Sequence, residues 1–457
     1  MLRPQLLSRG GVSLARIAAA STRAMATAAN VNNGWQRSER KVCIETSKRN
    51  FIKQFRLAST SSAAARKTQV VVAAAEPDGA AALLKIHWGD CKTDIYPFIW
   101  LRDNCQCPQC FNRYTLSRNI LLQDLSRDVH PTAVEVAKDG QGVAVNWSDG
   151  HSSVFSASWL LRRAFNSSSR GQRLQEIKLK KILWDSEKMK DLPQANFSDL
   201  LANDAALLTF LQEVEQLGLC VVKEAPTRSG ELERLTKRIG HLKRTHYGLT
   251  FSVKIKTNAN NLAYTEKSLN LHVDQPYLES KPGVQLLHCI SQCEGHGGDN
   301  LLVDSFHVAE KLREMHPGKF KILTDTLVDF YDIGVENGTK FHVINQEPTI
   351  QLGISGEIKT VSFNNMVRDS HFGCQPEQTK AWYDAMMSYH DLLADPQYAI
   401  TYKLLEGDII VFDNNRVLHG RNGFQMTGGE RHLEGCYWDW DEVRSRRRVL
   451  LAECGLN

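Results

Sequence analysis

The stretch LNLHVDQPYLESKPGVQLLHCI, residues 269–290, decides how the rest of the chain is read. Its first part reads as a β-strand running out into a loop, and VQLLHCI at its end is a second, apolar strand. Residues two apart on a strand project to the same face, so His272 and Asp274 offer an imidazole and a carboxylate side by side. That pair can fill two adjacent corners around one metal ion, and a third ligand must come from elsewhere.

The candidate third ligand is His419, in GDIIVFDNNRVLHGRNGF, where a strand and a turn deliver the ring to the mouth of the same sheets. Two histidines and one carboxylate with open positions remaining are the donor set of non-haem Fe(II) oxygenases. His-x-Asp alone is equally the mark of a satisfied structural histidine. Arg431, twelve residues after His419 in GGERHLEGCYW, tips the reading towards chemistry. Its planar fork suits the far carboxylate of a chelating dicarboxylate, which implies 2-oxoglutarate as co-substrate.

Around these residues run short segments that read as strands, among them NLAYT, NLLVDSF, TVSFNN, YAITYKLL, DIIVFDN and LEGCYWDW. A helix is predicted over about 376–394, with Trp382, Met386, Tyr389 and Leu393 on its buried stripe. Another runs from Asp204, read as its cap, to Gly218, with Leu207, Phe210, Leu211, Val214 and Leu217 at helical spacing. The expected fold is therefore mainly β with α insertions. Its core would be a double-stranded β-helix, or jelly roll, beside a small N-terminal zinc-binding β domain.

The chain has 457 residues and a formal charge of +5, enough length for two or three structural units. Residues 1–75 contribute only Glu39 and Glu45 as acids, so the positive charge is concentrated there and the remainder is no nucleic-acid-binding surface. The longest apolar run, VVVAAA at 70–75, is far too short for a membrane span. The start, MLRPQLLSRGGVSLARIAAASTRAMATAA, spaces Arg3, Arg9, Arg16 and Arg23 among Ala, Ser and Leu. It reads as a mitochondrial transit peptide, which places the protein in the matrix; as a disordered tail, it would leave it cytoplasmic. The expected organisation is a leader over 1–78, a zinc-binding domain over 79–165, a connector over 166–200 and the oxygenase domain over 201–457.

Eleven scattered cysteines and no secretory signal argue against a disulfide framework. One cluster stands out, WLRDNCQCPQCFN, in which Cys105, Cys107 and Cys110 can converge on one ion. A tetrahedron needs a fourth ligand, and His151, at a turn between two strand-like segments, is preferred over His130. A closed site of this kind would hold structural Zn(II); the alternative is a set of reduced surface thiols.

The segments HVDQPYLESKPGVQLLHCI, LVDFYDIGVEN, SFNNMVRDS, VFDNNRVLHGR and RHLEGCYWDWDEVRSRRRVL closely resemble the γ-butyrobetaine and trimethyllysine dioxygenase family. The likeness runs from about residue 80 to the C-terminus, cysteine cluster included, and is stronger to the butyrobetaine members. It implies Fe(II)/2-oxoglutarate-dependent hydroxylation of γ-butyrobetaine at C3 to L-carnitine, with O2 consumed and succinate and CO2 released. It also implies ascorbate as a reductant and a homodimer. The positions matching the family's cage for a trimethylammonium group are Tyr247, Phe251, Tyr264 and Tyr437, rings that can hold such a cation by their faces. The family usually has Trp where this chain has Phe251. Asn261 and Asn364 match the groups facing the substrate carboxylate, and Leu287 matches a residue lining the co-substrate site.

Other readings differ in what they require. Trimethyllysine hydroxylation needs only a different substrate in the same site. A zinc hydrolase would want a glutamate base beside a metal-bound water, which no motif supplies, and a silent quaternary-amine-binding module would have no use for a full ligand set.

Overall fold

The computed structural model describes residues 70–255, 262–336 and 338–455. The leader expected over 1–78 falls largely outside them, as does Asn261.

The N-terminal portion carries two three-stranded antiparallel sheets. One comprises Val72–Asp78, Leu83–Trp88 and Thr93–Pro97, and the other Pro131–Val136, Gly142–Trp147 and Ser152–Ser156. Leu84, Ile86 and Trp88 alternate inwards along one strand, as a half-buried sheet requires. They meet Trp147, Phe155 and Leu160 in a core of their own.

The larger portion is organised by a six-stranded and a four-stranded sheet. In spatial order the first runs Thr250–Lys254, His432–Trp438, Val284–Ser291, Ile409–Asp413, Leu219–Lys223 and Gln194–Asn196. The second runs Leu269–His272, Val417–Arg421, Asn300–Asp304 and Ala399–Tyr402. Helices Asp204–Leu217 and Trp440–Glu453 bury Leu207, Leu211, Val443 and Leu450 against one face of the six-stranded sheet. Its other face packs Val221, Leu287, Ile410 and Phe412 against Leu302, Ile400 and Val417 of the four-stranded sheet. Helices Ser305–Met315, Pro317–Asp325 and Pro376–Leu393 form a further core with Val273, Val303 and Leu418.

This architecture corrects the expectation of a mainly β jelly roll. Among the described residues the fold is mixed α/β, with ten α-helices and eight separate sheets, none closed into a barrel or strongly curled. The six-stranded sheet ends in open edges at Thr250–Lys254 and Gln194–Asn196. Apolar strands such as Val284–Ser291 are covered on both faces, by helices on one and by the four-stranded sheet on the other, without either sheet closing on itself. Two local readings change as well. NLAYT is a 3-10 turn, Leu262–Tyr264, and the cap of the 204–217 helix is Asn203, whose side chain accepts from the amides of Ala205 and Ala206. Asp204 instead pairs with Arg238 at 2.7 Å.

Arg416 joins the two layers. Its fully buried guanidinium donates from Nε to Asp304 Oδ1 at 2.9 Å and from Nη2 to Oδ2 at 2.7 Å, and also to the carbonyls of Gln216 and Ile182. Asp304 in turn caps helix Ser305–Met315 and accepts from the Trp184 amide. Breaking such a pair leaves a buried charge uncompensated, so Asp304→Asn is expected to lower stability by about 3–5 kcal/mol. Urea unfolding measures this, and a loss below about 1 kcal/mol would show the pair to be dispensable.

Candidate active site

His272 is the last residue of strand Leu269–His272, and the ladder sets it opposite His419 on Val417–Arg421. Their ring centroids are 4.1 Å apart. His272 Nδ1 lies 2.8 Å from the Asn270 carbonyl, which assigns the proton to that nitrogen and leaves Nε2 as the free donor atom. Asp274 follows in the turn, pinned by Asn414. The Asp274 amide donates to Asn414 Oδ1 at 2.8 Å, and Asn414 Nδ2 donates back to the Asp274 carbonyl at 3.0 Å. The Tyr437 hydroxyl donates to Asp274 Oδ2 at 2.7 Å, which turns Oδ1 towards the two imidazoles. Oδ1 lies 3.2 Å from His272 Nε2 and 3.5 Å from His419 Nε2. Gln275, immediately after, has a φ of +56°, a left-handed backbone held where the chain must turn away from the cluster.

The three donor atoms lie within 4.8 Å of one another, a convergence that fits a divalent ion with mixed N/O ligation. Burial acts on Asp274 to raise its pKa, but the hydrogen bonds and charges of His272 and His419 outweigh it and hold the carboxyl well below the usual range. Burial, helped by the neighbouring His272, lowers His419 and favours its neutral form. Both shifts leave the groups in the states that bind metal near neutral pH.

The cluster opens on a cavity of about 570 Å³. Leu287 and Arg431 line it. Arg431 is 5% exposed, its Nε has no hydrogen-bond partner, and its guanidinium stands over the Phe424 ring at 5.5 Å. No carboxylate among the described residues forms an ion pair with it. A buried cation left this way is costly unless an anion joins it. A second guanidinium, Arg421, shares the Phe424 ring at 4.8 Å. Two of its nitrogens donate to the carbonyls of Ala263, Thr265 and Lys267, gripping the segment that carries Tyr264. Burial and the adjacent Arg431 pull its pKa down to about 10.

Tyr247, Phe251, Tyr264 and Tyr437 line the same cavity. Phe251 stacks on Tyr437 with centroids 5.3 Å apart and stands 6.2 Å from Tyr247. Its cross-strand partner is Gly435, where a Cβ would come 2.2 Å from Phe251 Cζ, so the ring lies on space that only glycine leaves. Asn364 also lines the cavity, but its amide is largely engaged: Nδ2 donates to the Val273 carbonyl at 3.0 Å, and Oδ1 accepts from the Met366 amide at 3.0 Å. Arg421, Tyr277, Asp332 and Phe341 are lining residues that the sequence reading missed. Asp332 and Phe341 belong to a pair of ten-residue strands, Leu327–Glu336 and Thr339–Pro348, and the Asn-Gly pair in the sequence at 337–338, between alternating segments, was the available signal.

Away from this cavity, His151 Nε2 lies 3.3 Å from Cys105 Sγ and 3.5 Å from those of Cys107 and Cys110. The four ligand atoms are within 4.8 Å of one another. Arg102 donates to Cys110 Sγ at 3.5 Å and pairs with Asp149, whose Oδ1 accepts from the His151 amide. His130 is exposed and turned to the carbonyl of Asp128.

Comparison with known proteins agrees with this geometry. Residues 185–437 match the family described as taurine catabolism dioxygenase TauD, TfdA, and residues 78–161 match the γ-butyrobetaine hydroxylase-like N-terminal family. The chain is 39% identical to γ-butyrobetaine dioxygenase of Homo sapiens over 82% of its own length and 96% of that protein. It is 32% identical to γ-butyrobetaine dioxygenase of Pseudomonas sp. strain AK-1, over 81% and 94%. To mitochondrial trimethyllysine dioxygenase of Rattus norvegicus it is 28% identical, over 78% and 82%. The protein is an Fe(II)/2-oxoglutarate-dependent dioxygenase. Within that class, the chain belongs to the TauD, TfdA family, in the branch that contains the γ-butyrobetaine dioxygenases.

Because Asn414 holds Asp274 from both sides, Asn414→Ala is expected to weaken divalent-metal binding about 10–100-fold. Mn(II) titration followed by electron paramagnetic resonance reads this, and unchanged affinity would remove Asn414 from the ligand-orienting role.

Proposed function

We propose that this chain hydroxylates γ-butyrobetaine at C3 to give L-carnitine, consuming O2 and converting 2-oxoglutarate to succinate and CO2. The observation that carries the reading is the buried, unpartnered Arg431, which shares one cavity with a His–Asp–His cluster and a group of aromatic walls. The 39% identity to the human γ-butyrobetaine dioxygenase supports the same substrate.

In this reading His272, Asp274 and His419 hold the iron, which supplies the O2-dependent oxidation that couples loss of CO2 to C–H hydroxylation. Arg431 donates two hydrogen bonds to the distal carboxylate of 2-oxoglutarate, and Leu287 gives that co-substrate an apolar wall. Tyr247, Phe251, Tyr264 and Tyr437 hold the trimethylammonium group, which has no N–H to donate, by their π faces. Asn364 turns its remaining N–H towards the substrate carboxylate; Asn261, the other position matching that contact, lies outside the described residues. With both ends of the ligand fixed, the carbon nearest the metal is the one oxidised. No side chain is needed as a nucleophile or general base.

Purified enzyme with Fe(II), ascorbate, O2 and 2-oxoglutarate is expected to release succinate on addition of γ-butyrobetaine. Stimulation by trimethyllysine alone would move the assignment to the relative's reaction. Cys105, Cys107, Cys110 and His151 are assigned a structural Zn(II), and one zinc per chain is expected by elemental analysis. Its removal by chelation should melt the N-terminal sheets; a zinc-free preparation with unchanged circular dichroism would contradict the assignment.

A further inference from the structure

Two carboxylates line the cavity among the described residues, and they are in different situations. Asp274 is engaged by two imidazoles and the Tyr437 hydroxyl. Asp332 accepts no hydrogen bond from any described residue, although its side chain is only 25% exposed. The nearest cationic candidate is His246, whose Nε2 is 3.6 Å away, too far for a hydrogen bond. His246 is itself wedged against Tyr247 and Phe341 with centroids at 4.1 and 4.2 Å, and neither of its ring nitrogens has a partner. A half-buried carboxylate that accepts no hydrogen bond from the wall around it is stabilised by any cation brought within range.

Its surroundings indicate what would stabilise it. Asp332 sits on strand Leu327–Glu336, facing Val343, and joins Tyr247, Tyr277 and Phe341 in the cavity wall. Burial first, and then the Asp332 charge, push the Tyr247 hydroxyl above its usual range, so the carboxylate's field reaches the rings. The guanidiniums of Arg421 and Arg431 lie together over Phe424. The cavity thus carries a carboxylate beside aromatic rings, with no hydrogen bond and only His246 at 3.6 Å for a cation, and two guanidiniums beside another ring without a carboxylate partner. That pattern matches a ligand pair in which one component presents a cation without N–H donors and the other an anion.

We propose that Asp332 is a specificity-determining residue, selecting a permanently cationic ligand head over an uncharged head of the same shape. The inference rests on the quaternary-amine reading above and deepens it, because aromatic faces alone also accept a tert-butyl group. Asp332 adds a through-space preference for charge, without a contact that a trimethylammonium could not satisfy.

The test is a cycle of two ligands and three proteins. The ligands are γ-butyrobetaine and its carbon isostere 5,5-dimethylhexanoate, in which a quaternary carbon replaces the nitrogen. The proteins are the full-length enzyme, Asp332→Asn and Asp332→Glu. Binding is read by calorimetry on the 2-oxoglutarate-loaded enzyme without O2. Asp332→Asn is expected to weaken γ-butyrobetaine about tenfold, leave the isostere within twofold and leave the KM for 2-oxoglutarate unchanged, with Asp332→Glu restoring most of the loss. Equal weakening of both ligands would make Asp332 merely structural, and no change in either would remove it from recognition; both outcomes overturn the proposal. γ-Butyrobetaine binding without turnover would sink the proposed reaction while leaving the charge comparison readable, and failure of both ligands to bind would end both readings.

Discussion

The ion pair between Arg416 and Asp304 has no exposed surface on either side chain, and the position of His419 depends on it. Arg416 immediately precedes strand Val417–Arg421, and Asp304 ends its neighbour Asn300–Asp304, so the bidentate contact fixes the register at which the two strands meet. The same carboxylate caps a helix and holds the Trp184 amide, while the same guanidinium closes the carbonyls of Gln216 and Ile182. Each charge is therefore fully hydrogen-bonded, the condition under which burial of a pair is tolerable. A slip of one residue in this strand would turn His419 to the opposite face, away from His272 and Asp274.

The cavity charges are the reverse case. Arg431 and Asp332 lie in the same half-enclosed space without the partners that Arg416 and Asp304 have. A buried guanidinium without an anion, and a half-buried carboxylate without a hydrogen bond, cost stability, and a fold keeps such groups where a ligand completes them. Arg421 lies between the two situations. Two of its nitrogens are taken by backbone carbonyls of the segment bearing Tyr264, while its Nε and its charge remain uncompensated beside Arg431. An anion placed there would relieve both guanidiniums and would do so next to the segment that supplies one wall of the cage.

How much of this was legible depended on the range of the interaction. The His272–Asp274 pair follows from strand periodicity, and the cysteine cluster from its spacing, because both are local. The Pro376–Leu393 helix was readable from its apolar stripe for the same reason. The global architecture was not: short apolar strands read alike whether a sheet curls on itself or is covered by helices, and the jelly-roll expectation failed on that ambiguity. NLAYT has the composition of a strand, yet its segment is a tight turn gripped by Arg421, a contact more than 150 residues away in sequence. The 327–348 hairpin is different. Its alternation and Asn-Gly dipeptide were present in the sequence, and without that signal Asp332 and Phe341 stayed hidden.

The hairpin changes how the departure at Phe251 should be weighed. A phenyl ring is a poorer partner for a cation than an indole, and each well-placed ring is worth roughly 0.5–2 kcal/mol. Gly435 lets the phenyl lie close against the sheet and stack on Tyr437, so the wall is kept while its electrostatic strength falls. The tenfold effect expected of Asp332 corresponds to about 1.4 kcal/mol, within the range of a single well-placed ring. In a cage with Asp332 in its wall, attraction for the cation need not come from the rings alone, and the cost of having phenylalanine at 251 is correspondingly smaller.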